Sequence, residues 1–187
     1  AGAEIFGSTV SGLTSLTITN SGGTTFSGAV SATTVTLTNT TGTIAFNGAL
    51  TATTLNTATQ AYNVGLNVTG TSITNAVTFS NTGTLALGAS GGTLAFTGGI
   101  TATAPSTVTV NGTLTAAGTS VINLGTVSVA SNSLIGGAST GQITLGATTL
   151  VDGVTLTLGT GIANAISLSS VSGTASGSAS NLTINTT

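Results

Sequence analysis

One short string recurs along the chain with its large residue in place. Phe26-Ser27-Gly28-Ala29-Val30-Ser31-Ala32-Thr33-Thr34 returns as Phe46-Asn47-Gly48-Ala49-Leu50-Thr51-Ala52-Thr53-Thr54 and again as Phe96-Thr97-Gly98-Gly99-Ile100-Thr101-Ala102-Thr103-Ala104. Ahead of each Phe lies a second shared element: Thr19-Asn20-Ser21-Gly22-Gly23, then Thr38-Asn39-Thr40-Thr41-Gly42, and more loosely Ser80-Asn81-Thr82-Gly83. Later copies loosen to Ile143-Thr144-Leu145-Gly146 and Leu156-Thr157-Leu158-Gly159. A repeat of about twenty residues points to a stacked array, because a unit this small cannot bury its apolar face except on its neighbours.

Within each unit the alternation is strict. In Leu16-Thr17-Ile18-Thr19, Val35-Thr36-Leu37-Thr38, Thr107-Val108-Thr109-Val110, Val154-Thr155-Leu156-Thr157-Leu158 and Leu182-Thr183-Ile184 the aliphatic residues share one side and the threonines the other. Period two is the mark of a half-buried strand. Thr suits the outer side, since its β-branch favours extended backbone and its hydroxyl stays hydrated. Asn47-Gly48, Asn111-Gly112 and Asp152-Gly153 supply corners that admit positive φ. No segment reads as a helix.

Two all-β architectures accommodate many short strands: an antiparallel β-sandwich of hairpins and a parallel β-solenoid. The solenoid is expected, because near-identical units stack like on like, and sandwich strands have no reason to match. Coils of about twenty residues predict roughly nine rungs and, at about 4.8 Å per rung, a rod on the order of 45 Å long. The whole of 1–187 reads as one array without recognisable caps. The amino end offers only Ala1 to Phe6, and the carboxyl end, Asn181 to Thr187, is still in strand pattern. The expectation is that the natural chain continues or that the ends pair with neighbouring copies, Leu182 and Ile184 serving end-coil self-association.

Charge is nearly absent. Glu4 and Asp152 are the two acidic residues, there is no Lys, Arg, His, Cys, Met or Trp, and the net charge is −2. Without cations the chain cannot replace the counterions of a nucleic acid. Without His, Lys or Cys its hydroxyls have no activating base, so no enzyme is expected. Two distant carboxylates do not suggest a metal site, and no cofactor is expected. Every apolar run is interrupted within a few positions, which excludes a transmembrane helix, and 3% aromatic content is too little for the girdles of an outer-membrane barrel. The amino end, without Met or a signal-like segment, reads as processed or cut from a precursor.

Units such as Thr38 to Thr54 resemble the Thr/Gly/Asn-rich β-strand repeats of large bacterial surface proteins, similar to filamentous-haemagglutinin-like adhesins and autotransporter passengers. That resemblance spans most of residues 13–160 and implies a secreted β-solenoid at the cell surface or in the extracellular matrix, with roles in adhesion, biofilm or fibre formation. Its partners are expected to be copies of itself and cell-surface or matrix glycans.

Phe26, Phe46 and Phe96 are read as a structural core ladder rather than a platform for sugars. Thr17, Thr19, Thr36, Thr38, Thr107, Thr109, Thr155 and Thr157 form the expected outward Thr face. Thr-x-Thr arrays are also found in β-solenoid antifreeze proteins, so ice or carbohydrate binding is the alternative function. The uneven spacing of these pairs instead fits ordinary solvated strands. Asp152-Gly153 reads as a plain turn, and sequons at Asn39, Asn67, Asn111, Asn181 and Asn185 are expected by chance at this composition. The leading expectation is a self-associating structural protein. Little charge repels a second copy, and there is no Lys and one Pro to defend strand edges.

Overall fold

The computed structural model describes residues 1–174 and 177–187. Alternation gives nineteen strands among them. They are β1 (Glu4–Phe6), β2 (Val10–Ile18), β3 (Thr24–Phe26), β4 (Val30–Leu37), β5 (Thr43–Phe46), β6 (Leu50–Thr57), β7 (Asn63–Leu66), β8 (Thr71–Ile73) and β9 (Val77–Thr78). The series continues with β10 (Thr84–Leu87), β11 (Thr93–Phe96), β12 (Ile100–Ala102), β13 (Thr107–Gly118), β14 (Ile122–Leu124) and β15 (Val127–Ser139). It ends with β16 (Ile143–Leu150), β17 (Thr155–Leu158), β18 (Ile166–Gly173) and β19 (Asn181–Ile184).

Every paired strand is parallel to its neighbour, which excludes the hairpin sandwich. The chain winds as a β-solenoid of about eight turns with strands about 21 residues apart, one residue longer per coil than the Phe spacing suggests. Each coil contributes to three ladders. Face A stacks β1, β3, β5, β7, β10, the first parts of β13 and β15, and the second parts of β16 and β18. Face B takes the first parts of β2, β4 and β6, then β8, β11, the second parts of β13 and β15, β17 and β19. Face C takes the second parts of β2, β4 and β6, then β9, β12, β14 and the first parts of β16 and β18.

Like stacks on like inside the rod. Ile100, Ile122, Ile143 and Ile166 form one register column of face C, beside Ala102, Leu124, Leu145 and Leu168. On face A, Ile44, Val64, Leu85, Val108 and Val127 follow one another. These side chains are buried from end to end, apart from the half-buried Ile166 and Leu168, and so make one continuous core. No single coil encloses such a column, so stability resides in the stacking.

Corners use glycine for two different reasons. At Gly112, φ is 82°, so an L side chain is strained there. At Gly48 the φ is ordinary, and the requirement is space: a Cβ would fall on the backbone of Gly28 and Ala29 in the coil beneath. The Asn47-Gly48 pair therefore marks a close approach between coils rather than the positive-φ turn its sequence suggests.

Candidate interaction surfaces

The aromatic column is shorter than the repeated string implies, and it begins earlier. Phe6 stacks on Phe26 with ring centroids 4.8 Å apart, and Phe26 stacks on Phe46 at 4.9 Å with planes 7° apart. Leu66, Leu87, Val110 and Val129 continue the column. Phe96 is not part of it. It lies on face B in register with Ile73, and its ring meets Phe79 edge-on at 6.3 Å. All three expected ladder residues are core, but Phe96 belongs to a different ladder. The string Phe-x-Gly-x-aliphatic turns the chain from face A to face B at Phe26–Val30 and Phe46–Leu50, and from face B to face C at Phe96–Ile100. Because Phe26, Phe46 and Phe96 are fully buried, they offer no ring to a sugar.

Buried polar groups cluster at the corners. Tyr62 is fully buried; its hydroxyl donates to the Leu37 carbonyl at 3.0 Å and accepts from the Ala58 amide at 3.1 Å. Loss of solvent raises the pKa of this hydroxyl above its ordinary value, against the opposing pull of hydrogen bonds with the Ala58 backbone and the Thr57 side chain. Asn81, also fully buried, donates to the carbonyls of Tyr62 and Thr84. The Asn164 amide spans the carbonyls of Ser139 and Gly141 at 2.7 and 2.8 Å. These amides satisfy corner carbonyls that the ladders leave free. Single Asn and Tyr residues in a Thr-rich chain gave no sign of this role, which depends on where a corner falls.

The expected Thr face is not one surface. Thr17, Thr19, Thr36 and Thr38 lie along face C or at its edge, Thr107 and Thr109 on face A, and Thr155 and Thr157 on face B. The eight share only their outward position, and Thr38 turns its hydroxyl back onto the Ile18 carbonyl at 3.0 Å. Coil-to-coil drift in spacing carries similar pairs onto different faces.

Face C nevertheless carries, in two register-aligned stretches, an outward row of side chains that can hydrogen-bond. Thr17, Thr36 and Asn56 are in register, as are Thr78, Thr101, Asn123, Thr144 and Ser167. The two stretches meet where the Thr57 hydroxyl donates to the Thr78 carbonyl at 3.2 Å. None of the eight is buried. The corresponding row of face A is interrupted by Ala45, Gly65 and Ala86. That of face B is interrupted by Ala95 and Gly136.

At the first and last coils, core columns come to the surface. Phe6 is 41% exposed, Leu13 37%, Leu182 40% and Ile184 55%. Leu182 and Ile184 stack on Leu156 and Leu158, as like on like. A shallow groove of about 240 Å³ crosses the bend between faces B and C, over Ala32 and Ala52 and between Ser31, Thr33, Thr51 and Thr53.

Glu4 heads face A beside Thr24, whose hydroxyl donates to it at 3.2 Å, whereas Asp152 follows β16 far along the stack. The two carboxylates do not meet. Among the described residues no three His, Cys, Asp or Glu side chains gather, and no helix is long and apolar enough to cross a membrane. Comparison with protein families, with curated proteins and with solved structures finds no match.

Proposed function

We propose that the chain is a non-catalytic structural element of an extracellular assembly. In this reading it is a β-solenoid rod that self-associates, as a fibre or matrix subunit or as a repeat segment of a bacterial surface adhesin. The observation that carries the proposal is the like-on-like stacking of coils, in which columns such as Ile100, Ile122, Ile143 and Ile166 continue from one coil to the next. A coil of this grammar accepts a further coil like it, from the same polypeptide or from another copy. The near absence of charge supports the same reading, since edges without Lys or paired acids do not repel a second strand.

Electron microscopy of the concentrated protein, together with sedimentation, tests it. The expected result is rods that associate, with a spacing near 4.8 Å along their axis. A chain that stays a dispersed monomer at every concentration overturns self-association.

The second reading, a carbohydrate- or ice-binding module, draws on the hydroxyl-lined groove between Ser31 and Thr53. Thermal hysteresis, or retention on immobilised glycans with loss on Thr51→Val, would favour it over assembly.

A further inference from the structure

Face C has two properties that bear on what it can meet. Its outward row repeats at the strand spacing, about 4.8 Å. Its pattern of hydroxyls and amides also reads the same from either end: the Thr17 hydroxyl answers that of Ser167, Asn56 and Asn123 each stand third from an end, and Thr78 and Thr101 share the middle. A two-fold axis running along the strands at the middle of the row lays such a face on a second copy of itself with the rods antiparallel. Asn56 then faces Asn123, and Thr78 faces Thr101. An isologous contact requires this self-complementarity.

We infer that face C is a lateral interface with a second copy of this chain, the two rods antiparallel. The inference rests on the self-associating reading and names the surface and orientation. Equal repeats favour another copy over any surface of different period, because every rung finds a partner at the same offset. Electrostatics permits the contact: neither Glu4 nor Asp152 belongs to the row, and the antiparallel arrangement places the two Glu4 carboxylates at opposite ends. The row is uncharged but rich in hydroxyls and amides, which form hydrogen bonds across a dry or singly hydrated seam.

Size sets the strength. Eight rungs by about four residues give a patch of roughly 38 by 14 Å. The resulting area, on the order of 500 Å² per partner, falls below the roughly 800 Å² of a standard interface. The pair is therefore a weak, concentration-dependent dimer that gains strength only when many rods align.

The chain has no cysteine, so single-cysteine variants report orientation directly. Thr36→Cys and Thr144→Cys are mixed in equal amounts and treated with a bis-maleimide that reaches about 10 Å, the spacing of packed sheets. The expected product is the mixed Thr36→Cys/Thr144→Cys dimer, in excess over both same-variant dimers. Thr101→Lys is expected to weaken dimerisation at least tenfold by sedimentation, whereas Thr109→Lys on face A leaves it unchanged. Predominance of same-variant dimers overturns the antiparallel arrangement. Association without any cross-link, and indifferent to Thr101→Lys, overturns face C as the interface while self-association stands. A monomer at every concentration overturns both.

Discussion

A residue's contribution in this rod depends on its height in a column as much as on its type. Phe6, Phe26 and Phe46 share one stack, but Phe46 is fully buried and Phe6 is 41% exposed. Phe46→Ala empties a site lined on both sides and is expected to cost about 3–5 kcal/mol, whereas Phe6→Ala removes one side of a contact and should cost well under half as much. Urea unfolding of the two variants checks the ratio; equal losses would show that height in the stack does not matter. Tyr62 gives a second test. Its hydroxyl has a raised pKa in the folded state, so at alkaline pH the unfolded chain releases its proton first. Stability is then complete below the unfolded value near 10 and falls as pH rises through the folded one. Tyr62→Phe is expected to flatten that alkaline decline. It also removes the hydroxyl's bonds to the Ala58 amide and the Leu37 carbonyl, which still bond to each other at 2.9 Å, so the cost at neutral pH is about 0.5–1.5 kcal/mol.

At the scale of the element, the strands were legible in the sequence and the ladders were not. Alternation alone identifies Val35-Thr36-Leu37 and Leu156-Thr157-Leu158 as strands with the aliphatic residues inside, and the structure buries those residues. Assigning each strand to a face needs the register, which depends on how many residues each corner consumes. That number drifts. Phe26 and Phe46 close the strand before the A-to-B corner, while Phe96 closes the strand before the B-to-C corner, so identical local grammar serves different faces. The outward row on face C was hidden for the same reason: its members stand nineteen to twenty-three residues apart in sequence and line up only after the corners absorb the difference. The corner itself is open to test at Gly48. Gly48→Ala forces a Cβ onto the backbone of the coil beneath and is expected to destabilise by about 1–3 kcal/mol. Gly2→Ala, with nothing within 4 Å of the added atom, should stay within about 0.5 kcal/mol of the parent in the same melt.

For the whole molecule, nearest-neighbour stacking is the only long-range order: each coil touches the one above and the one below, and no cap or layer crosses the array among the described residues. Amide protection in hydrogen exchange should therefore peak in the central coils around β10 to β15 and fall toward β1 and β19, whose exposed Ile5 and Ile184 lack a second neighbour. Uniform protection would indicate one global unfolding unit instead. The same one-dimensional logic, applied to a surface with two carboxylates and no cations, sets how assembly responds to salt. Raising ionic strength from about 0.01 to 1 M shortens the Debye length from roughly 30 to 3 Å, which dissolves contacts held by ion pairs. Rods that meet through apolar end columns and neutral hydroxyl and amide rows have no ion pairs to screen. Their association constant, read by sedimentation, should change by less than roughly a factor of three across that range. A rise of an order of magnitude would show that salt is relieving repulsion between the Glu4 or Asp152 carboxylates of facing copies, and would remove the uncharged row of face C as the sole basis of the contact.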